Sequence, residues 1–219
     1  MYDSMIWLSE KIKFPDNKTA TKDGIIALGG DLSPERLVHA YQNGIFPWYS
    51  EDEPIVWYSP PKRMVLFPSE LKISKSTRKI LKNKEFFITE NKAFEEVIFH
   101  CKNTVRKDGF GTWITDEMEL AYQKLHKLGF AKSIEVWQNI TDQNKKELVG
   151  GLYGIQINDV FCGESMFSKV SNASKVAFIH LVQCNLYKLI DCQVYTNHLA
   201  SLGAKEILRN DFLTLLKPD

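Results

Sequence analysis

The feature that most constrains the fold of this chain is an apolar strand pair, LVGGLYGIQINDVFCGESMFS, that carries one carboxylate in its interior. The segment is expected to form two strands joined by a turn at Asn158-Asp159, because apolar runs bounded by turn residues are typical of buried strands. Such strands normally exclude carboxylates. Glu164 is therefore either an ion-pairing residue that closes a sheet edge or a carboxylate in a cleft that receives a cation.

A second strand-like segment, LIDCQV at residues 189–194, repeats this pattern. Residues two apart on a regular strand face the same way, so Asp191 and Gln193 are expected on one face. Asp191 either caps the following turn or stabilises positive charge on a reacting amine, and the amide oxygen of Gln193 can accept an amine N–H. Because a neutral amide is scarcely basic, Gln193 is not expected to abstract a proton alone.

Length and composition describe an ordinary globular protein. The 219 residues, 44% apolar and 25% charged, suffice for one large domain or two small ones. A formal net charge of +1 neither requires nor excludes a nucleic-acid partner, so any basic surface must be local. The four cysteines lack CxxC spacing, no segment reaches the about 20 apolar residues of a membrane span, and no signal peptide is evident. We therefore expect a soluble cytoplasmic protein without membrane association.

The order of the predicted elements indicates an α+β fold in two parts. Residues 1–62 are rich in Gly, Pro and aromatic residues and contain one helix, capped by Ser33 and ended at Gly44. The Pro-Pro pair at 60–61 is taken as the boundary, and residues 63–219 alternate strands and helices, a pattern compatible with the sheet of the acetyltransferase-like (GNAT) superfamily. Further helices are predicted to begin at Ser74, Asn91, Thr115 and Asn172 (the last over 173–187), and further strands at 64–67, 86–89, 132–138, 189–194 and 206–208.

Aromatic and basic residues offer candidates for nucleic-acid contacts. Trp48 and Trp113 lie in short loops, where a ring is better placed to stack on a base than one within a helix, although tryptophan more often packs in a core. A basic run with helical spacing is either a solvated face or a contact surface for a phosphate backbone. Its candidate residues are Lys75, Arg78, Lys79 and Lys82. The sequence contains no HExxH, GxSxG or P-loop motif, and no metal site is predicted.

The motifs GGDLSPERL, GIFPW, GESMFS and LIDCQ, in this order, resemble those of leucyl/phenylalanyl-tRNA–protein transferases over about residues 14–212. The resemblance implies an enzyme that takes Leu, Phe or, less efficiently, Met from an aminoacyl-tRNA. It links that residue to the N-terminal Arg or Lys of a protein in the bacterial N-end rule degradation pathway. A small N-terminal domain beside a GNAT-like C-terminal domain, with a mainly antiparallel sheet flanked by helices and no cofactor, is also implied.

The resemblance further implies roles for individual residues. By motif position, Asp191 and Gln193 are similar to the catalytic pair of the family, and Glu164 to the acidic residue of its acceptor site. The residues implied for the aminoacyl pocket are Leu152, Phe161 and Phe178. Those implied to hold the 3′ adenosine of the tRNA are Trp48, Trp113, Tyr41 and Tyr122.

Elementary chemistry is consistent with this activity. About a tenth of a free α-amine is neutral near pH 7, and positioning alone can contribute up to about 7–11 kcal/mol to aminolysis of an ester. Direct attack without an acyl-enzyme is therefore expected. One alternative is a GNAT-type N-acetyltransferase using acetyl-CoA, although the loop FSKVSNASK lacks the glycine pair that would hold a pyrophosphate. Another is a non-catalytic binder of basic protein N-termini, which would leave the loop tryptophans unexplained.

Overall fold

A four-stranded sheet forms the first part of the protein. The computed structural model describes residues 5–104, 113–140 and 145–218. The strand order is β1-β2-β4-β3, with β1 and β2 parallel and the other pairs antiparallel. Helix α1 begins after Ser33, whose hydroxyl accepts the Arg36 N–H, which confirms the predicted cap. The elements are β1 (Trp7–Leu8), β2 (Ile25–Gly29), α1 (Pro34–Gln42), β3 (Phe46–Pro47) and β4 (Val56–Tyr58).

A seven-stranded sheet, ordered β11-β5-β10-β9-β8-β7-β6, forms the rest of the protein. Over the described ranges its neighbouring strands are antiparallel, apart from the parallel pair β9 and β10. Parallel neighbours need a crossover, and helix α5 supplies it here. The predicted α+β class is confirmed. The strands are β5 (Lys62–Leu66), β6 (Phe87–Glu90), β7 (Ala131–Asn139), β8 (Lys146–Ile157), β9 (Val160–Ser168), β10 (Leu189–Gln193) and β11 (Lys205–Leu208).

The helices of this part confirm two of the predicted caps and correct two other predictions. The hydroxyls of Ser74 and Thr115 each accept a backbone N–H of the first turn that follows them. Asn91 does not cap a helix; its side-chain oxygen instead accepts the Ser133 N–H at 3.0 Å. The fourth helix after α1 ends at residue 183, earlier than predicted, and Asn185 then adopts a left-handed backbone with φ 57°. The helices are α2 (Lys75–Asn83), α3 (Phe94–Asn103), α4 (Asp116–Lys127), α5 (Ala173–Gln183), α6 (Asn197–Ser201) and α7 (Arg209–Leu215).

The large sheet is buried on both faces. One cluster of buried apolar residues runs from the small sheet into the large one and includes Leu37, Trp57 and Tyr153. A second cluster lies on the opposite face beneath α5 and includes Phe178 and Ile190. The chain passes from one sheet to the other near the predicted boundary, but the first core is continuous across it. Within the described part of the chain, no helix is both long enough and apolar enough to span a bilayer.

Two β-bulges lie side by side in β9 and β10. The pairing of β9 with β8 skips Glu164, and the pairing of β10 with β5 skips Cys192 between Asp191 and Gln193. Gln193 adopts φ 60°, in the left-handed region. The regular alternation predicted for Asp191 and Gln193 is therefore wrong, because a bulge breaks the two-residue period and turns the following side chain. Glu164 lies in the first bulge, and Asp191 and Gln193 flank the second. The polar side chains of these two apolar strands therefore lie where regular pairing is interrupted.

Candidate active site

A cavity of about 300 Å³ opens where β9 and β10 stop pairing. Apolar side chains from β8, β9 and α5 form one side of it, and the polar side chains of the two bulges lie within the same lining. The cavity therefore brings together most of the site residues that the sequence predicted. Those lining it are Leu152, Phe161, Phe178, Trp48, Trp113, Glu164, Asp191 and Gln193.

More apolar residues line this cavity than the three that the sequence predicted. Leu152, Phe161 and Phe178 are each almost fully buried. Sequence reasoning missed the other apolar lining residues, because side chains on β9, β10, α5 and α6 meet only in the folded chain. Among them are Met166, Leu181, Ile190 and Leu199.

The four predicted adenosine contacts separate into two pairs. Trp48 is 42% exposed, and both Trp48 and Trp113 line the cavity, where a planar ligand can reach them. Tyr41 and Tyr122 are 1% and 0% exposed and do not line it. The prediction that these two rings contact an adenosine is wrong for this conformation, because neither ring has a free face. Their hydroxyl groups form hydrogen bonds with Glu164 instead.

Glu164 is held by three neutral donors from three other elements. Its Oε1 accepts the Tyr41 hydroxyl of α1 at 2.7 Å and the Gln193 Nε2 of β10 at 2.6 Å. Its Oε2 accepts the Tyr122 hydroxyl of α4 at 3.0 Å. The carboxyl group is only 9% exposed, at the cavity wall. No cation among the described residues forms an ion pair with it.

Burial raises the pKa of the Glu164 carboxyl to about 7, because the charged form loses hydration. The negative charge of Asp191 contributes to this rise in pKa, whereas the hydrogen bonds from the two tyrosines and Gln193 oppose it. Glu164 therefore changes its charge near neutral pH. The alternative prediction for Glu164, an ion pair that closes a sheet edge, is wrong, because no ion pair joins Glu164 to a described residue.

Asp191 has a different environment. It is completely buried, and its two oxygens accept Nε and Nη2 of Arg63 at 2.7 and 2.6 Å. The Arg63 guanidinium lies over the rings of Phe46 and Phe212, at 4.6 and 4.7 Å from their centroids. Burial alone would lower the pKa of Arg63, but Asp191 raises it above its ordinary value. Asp191 and Arg63 therefore form a buried ion pair with bidentate geometry.

Asp191 also fixes the backbone of Gln193. Its Oδ1 accepts the Gln193 N–H at 2.8 Å, directly at the left-handed residue. The Gln193 amide nitrogen donates to Glu164, and no described residue donates to its amide oxygen, so this oxygen can accept from a donor in the cavity. Sequence analysis missed Arg63 in this arrangement. The signal was present, since KRMVL is an apolar strand with one internal arginine.

The basic helix α2 lies apart from the cavity. Its four predicted contact residues are exposed, while Thr77 is the buried residue of the helix. The four residues, none of which lines the cavity, are Lys75, Arg78, Lys79 and Lys82. Their shared face is open to a large polyanion.

Other reactive groups near the site are few. Burial raises the pKa of the Cys192 thiol well above its ordinary value, so this lining residue stays protonated and is a poor nucleophile. Burial and the charge of Lys175 lower the pKa of His198, also in the lining. Within residues 5–104, 113–140 and 145–218, no three His, Cys, Asp or Glu side chains converge as metal ligands would.

Comparisons with known proteins match both parts of the chain to one family. Residues 65–217 match the family described as leucyl/phenylalanyl-tRNA protein transferase, and residues 30–61 match its N-terminal domain. The crystal structure of FemX shares the fold, with a TM-score of 0.51 over 83% of this chain and 70% of that chain at 10% identity.

Whole-length relatives are much more similar in sequence. The leucyl/phenylalanyl-tRNA–protein transferase of Flavobacterium psychrophilum is 54% identical over 97% of this chain and 100% of its own length. That of Flavobacterium johnsoniae is 56% identical over 97% and 99%. The protein is thus an enzyme of the aminoacyltransferase class. It belongs to the leucyl/phenylalanyl-tRNA–protein transferase family.

Proposed function

We propose that the protein transfers Leu or Phe, and less efficiently Met, from aminoacyl-tRNA to the N-terminal Arg or Lys of an acceptor protein. The observation that carries this proposal is one cavity that combines an apolar pocket with the buried carboxyl group of Glu164. The pocket suits an apolar aminoacyl side chain and the carboxyl group suits a cationic acceptor. By family likeness, we place the reaction in the cytoplasm and in the N-end rule pathway of bacteria.

We also propose the two-domain description, with a small domain at 1–62 and a GNAT-like domain at 63–219. The change from one sheet to the other between β4 and β5 supports the boundary. The parallel pair β9 and β10, within an otherwise antiparallel sheet, supports the GNAT-like description.

The donor is selected mainly by burial in the apolar part of the cavity. One methylene group contributes only about 1–3 kcal/mol to such selection, so discrimination among Leu, Phe and Met is loose. Phe161 and Phe178 come from different elements and, together with Leu152, form part of the apolar lining. A β-branched side chain such as Ile or Val is rejected by shape.

The tRNA is held without reading its sequence. Trp48 and Trp113 stack on the terminal adenosine, and the exposed basic face of α2 contacts the phosphate backbone. Replacing Arg78 or Lys79 by Ala weakens binding to all tRNAs alike and lowers the salt dependence by about one counterion for each charge. Lys127→Ala, an exposed lysine on α4, is the matched control. A loss confined to one tRNA sequence would contradict this assignment.

The reaction is direct aminolysis. The lone pair of the acceptor α-amine attacks the ester carbonyl carbon, the N–C bond forms, the ester C–O bond breaks, and the 3′ hydroxyl of the tRNA leaves with the proton that the amine loses. Gln193 orients the amine through its free amide oxygen. Asp191 acts through Gln193, by fixing its backbone N–H and by its own pairing with Arg63. Positioning of this kind can supply up to about 7–11 kcal/mol.

The testing experiment measures transfer of labelled Leu from Leu-tRNA to two peptides that differ only in their first residue, Arg or Asp. Transfer to the Arg peptide alone supports both the reaction and the acidic acceptor site. Transfer to both peptides keeps the reaction and removes the assigned role of Glu164. No transfer to either, with binding of acetyl-CoA, moves the function to an N-acetyltransferase. Binding of puromycin, which resembles an aminoacyl-adenosine, separates the transferase from both an N-acetyltransferase and a plain binder of basic N-termini, neither of which should bind it.

A further inference from the structure

Three oxygen–oxygen contacts close a ring among Tyr41, Tyr122 and Glu164. The Tyr41 hydroxyl lies 2.7 Å from Oε1 of Glu164, and the Tyr122 hydroxyl lies 3.0 Å from Oε2. The two phenol oxygens lie 2.5 Å from each other, and either one can be the donor. Tyr41 and Tyr122 are 1% and 0% exposed, so the contact between their two hydroxyl groups is closed to water. The protons of these three hydrogen bonds must therefore come from the three side chains themselves.

Counting protons shows that the two phenols alone are insufficient. Three hydrogen bonds need three protons, and two neutral tyrosines carry two. If both phenols donate to the carboxylate, two lone pairs face each other at 2.5 Å with no hydrogen between them. A proton on Oε2 of Glu164 completes the ring: Glu164 donates to Tyr122, Tyr122 donates to Tyr41, and Tyr41 donates to Oε1. The Gln193 amide then uses the second lone pair of Oε1.

We propose that Glu164 carries a proton while the acceptor site is empty, and that it exchanges this proton for the cationic side chain of the acceptor's N-terminal residue. This inference rests on the proposed function and deepens it, because it states how the acceptor site binds a cation. In the exchange the carboxyl O–H bond breaks and the proton leaves to solvent. The N–H groups of the acceptor's ammonium or guanidinium replace it as donors. The site is neutral before and after.

The groups around Glu164 point to the carboxyl as the one that releases this proton. Tyr41 on α1, Tyr122 on α4 and Cys162 on β9 have pKa values raised well above their ordinary range, chiefly by burial, so all three stay neutral. The charge of Arg63 on β5 is committed to Asp191 on β10, and that pair is neutral as a whole. No cation in the described part of the chain pairs with Glu164, and its own pKa is about 7.

Tyr41 and Tyr122 are accordingly positioning residues. They do not line the cavity, yet each orients one oxygen of the carboxyl group. Because their hydrogen bonds lower the pKa of Glu164, they also keep the proton exchangeable near neutral pH. Replacing either tyrosine by Phe removes one hydroxyl group and keeps the phenyl ring packed in the core.

The first test is infrared difference spectroscopy of the full-length enzyme, without tRNA, between about pH 6 and about pH 8, on either side of the Glu164 pKa. We expect a carbonyl band of a protonated carboxylic acid that titrates near neutral pH and is absent from Glu164→Gln. The absence of a Glu164-dependent band at the lower pH overturns the proposal. Transfer of Leu to the Arg peptide by the wild type is measured separately, so failure of the proposed function is distinguishable.

The second test adds a saturating peptide at about pH 6, where an α-amine of pKa about 8 is almost fully protonated, so peptides that differ only in their first side chain carry the same α-ammonium charge. A peptide that begins with Arg is expected to abolish the carboxylic acid band. A matched peptide that begins with Gln is expected to leave it unchanged. A band that survives the Arg peptide overturns the exchange, and so does a failure of that peptide to bind.

Variants of the two tyrosines separate this mechanism from a merely structural role. Tyr41→Phe and Tyr122→Phe should each move the midpoint of the band upward by about one pH unit, as expected for loss of a hydrogen bond to a charged group. The KM for the Arg peptide at about pH 7 then rises about fivefold, while kcat at saturating peptide stays the same. Tyr187→Phe, whose ring packs on Phe161, removes a hydroxyl elsewhere and is the control. Unchanged midpoints in both variants overturn the assigned role.

Discussion

The two buried carboxylates of the cavity differ in what neutralises them. Asp191 is bound by the guanidinium of Arg63 in a bidentate ion pair, whereas Glu164 is bound by two phenols and one amide, all of them neutral. Both groups are cut off from water to a similar degree. Asp191 therefore has a counter-charge within the protein, in Arg63. Neutral donors leave Glu164 free to change its charge, with a pKa raised to about 7 by burial.

The comparison shows that burial alone does not decide the role of an acidic residue. A carboxylate with its own cation is already satisfied, so Asp191 can orient Gln193 but has little attraction left for a substrate cation. A carboxyl group with neutral donors has hydrogen bonds but no counter-charge, so Glu164 gains most from a cation that arrives. Arg63 is the residue that separates these two roles.

Removal of Arg63 has the largest expected effect. Arg63→Met leaves Asp191 buried without a counter-charge and should lower the free energy of unfolding by about 3–5 kcal/mol. The double variant Arg63→Met with Asp191→Leu should recover most of that stability but no transfer activity, because the pair is then replaced by apolar groups. Urea unfolding of the two variants checks this, and a single-variant loss below about 1 kcal/mol would show that the pair is solvated.

Asp191→Asn tests whether the ion pair acts through Gln193. The Asn side chain keeps the shape of Asp191 but loses its charge. It therefore binds the Gln193 backbone N–H and the Arg63 guanidinium less strongly. We expect kcat for Leu transfer to fall about 100- to 1,000-fold, which corresponds to about 3–4 kcal/mol, with aminoacyl-tRNA affinity changed by less than about threefold. Single-turnover transfer and tRNA binding are measured on the same preparation. Equal losses in both would remove Asp191 from the reacting end of the site.

Glu164→Gln should change the pH dependence of stability. The pKa of Glu164 in the folded state, about 7, is raised above its ordinary value of 4.5, so the folded protein binds the proton more tightly than the unfolded chain. Stability is therefore highest below the unfolded value and falls as pH rises from about 4.5 to about 7, by up to about 3 kcal/mol. The Gln variant loses this component. Urea unfolding at both ends of the window checks it, with the partly exposed Glu206→Gln on β11 as control; identical slopes for wild type and Glu164→Gln would refute it.

Phe212→Leu has the smallest expected effect and addresses the fixed pair alone. The Phe212 ring lies 4.7 Å from the Arg63 guanidinium, and its loss should cost about 1–2 kcal/mol of stability through packing and the cation–π contact. The pKa of Glu164 should stay the same, because this ring contacts neither the carboxyl nor its donors. Phe99→Leu, at an exposed position on α3, is the matched control. A shifted Glu164 titration would show that the two carboxylates are coupled through Arg63.

The sequence predicted features that depend on neighbouring residues. Ser33, Ser74 and Thr115 cap helices because the capping oxygen and its N–H partner lie within the same turn. Glu164 and Asp191 stood out because each interrupts an apolar strand. The Asn91 cap was wrong because its side-chain oxygen found the Ser133 N–H, 42 residues away, and a local rule cannot weigh such a partner.

The bulges and the partners of the carboxylates could not be predicted in the same way. A bulge can be recognised only when a strand is aligned with its neighbour. In the sequence, only Gly163, directly before Glu164, indicated one. Tyr41 and Tyr122 carry no sequence sign of binding a carboxyl group, since their hydroxyls reach it only after α1 and α4 pack on the large sheet. Arg63 was visible within its strand, but its pairing with Asp191 spans 128 residues.

The wide separation of the Glu164 donors also bears on how the protein folds. Tyr41 lies 123 residues before Glu164, Tyr122 lies 42 residues before it, and Gln193 lies 29 residues after it. Each contact closes a loop whose entropic cost grows with its length, so the cluster forms after the local helices and the β8–β9 hairpin. A nascent chain on the ribosome therefore has no complete set of donors around Glu164 until β10 has been synthesised and has paired beside β9.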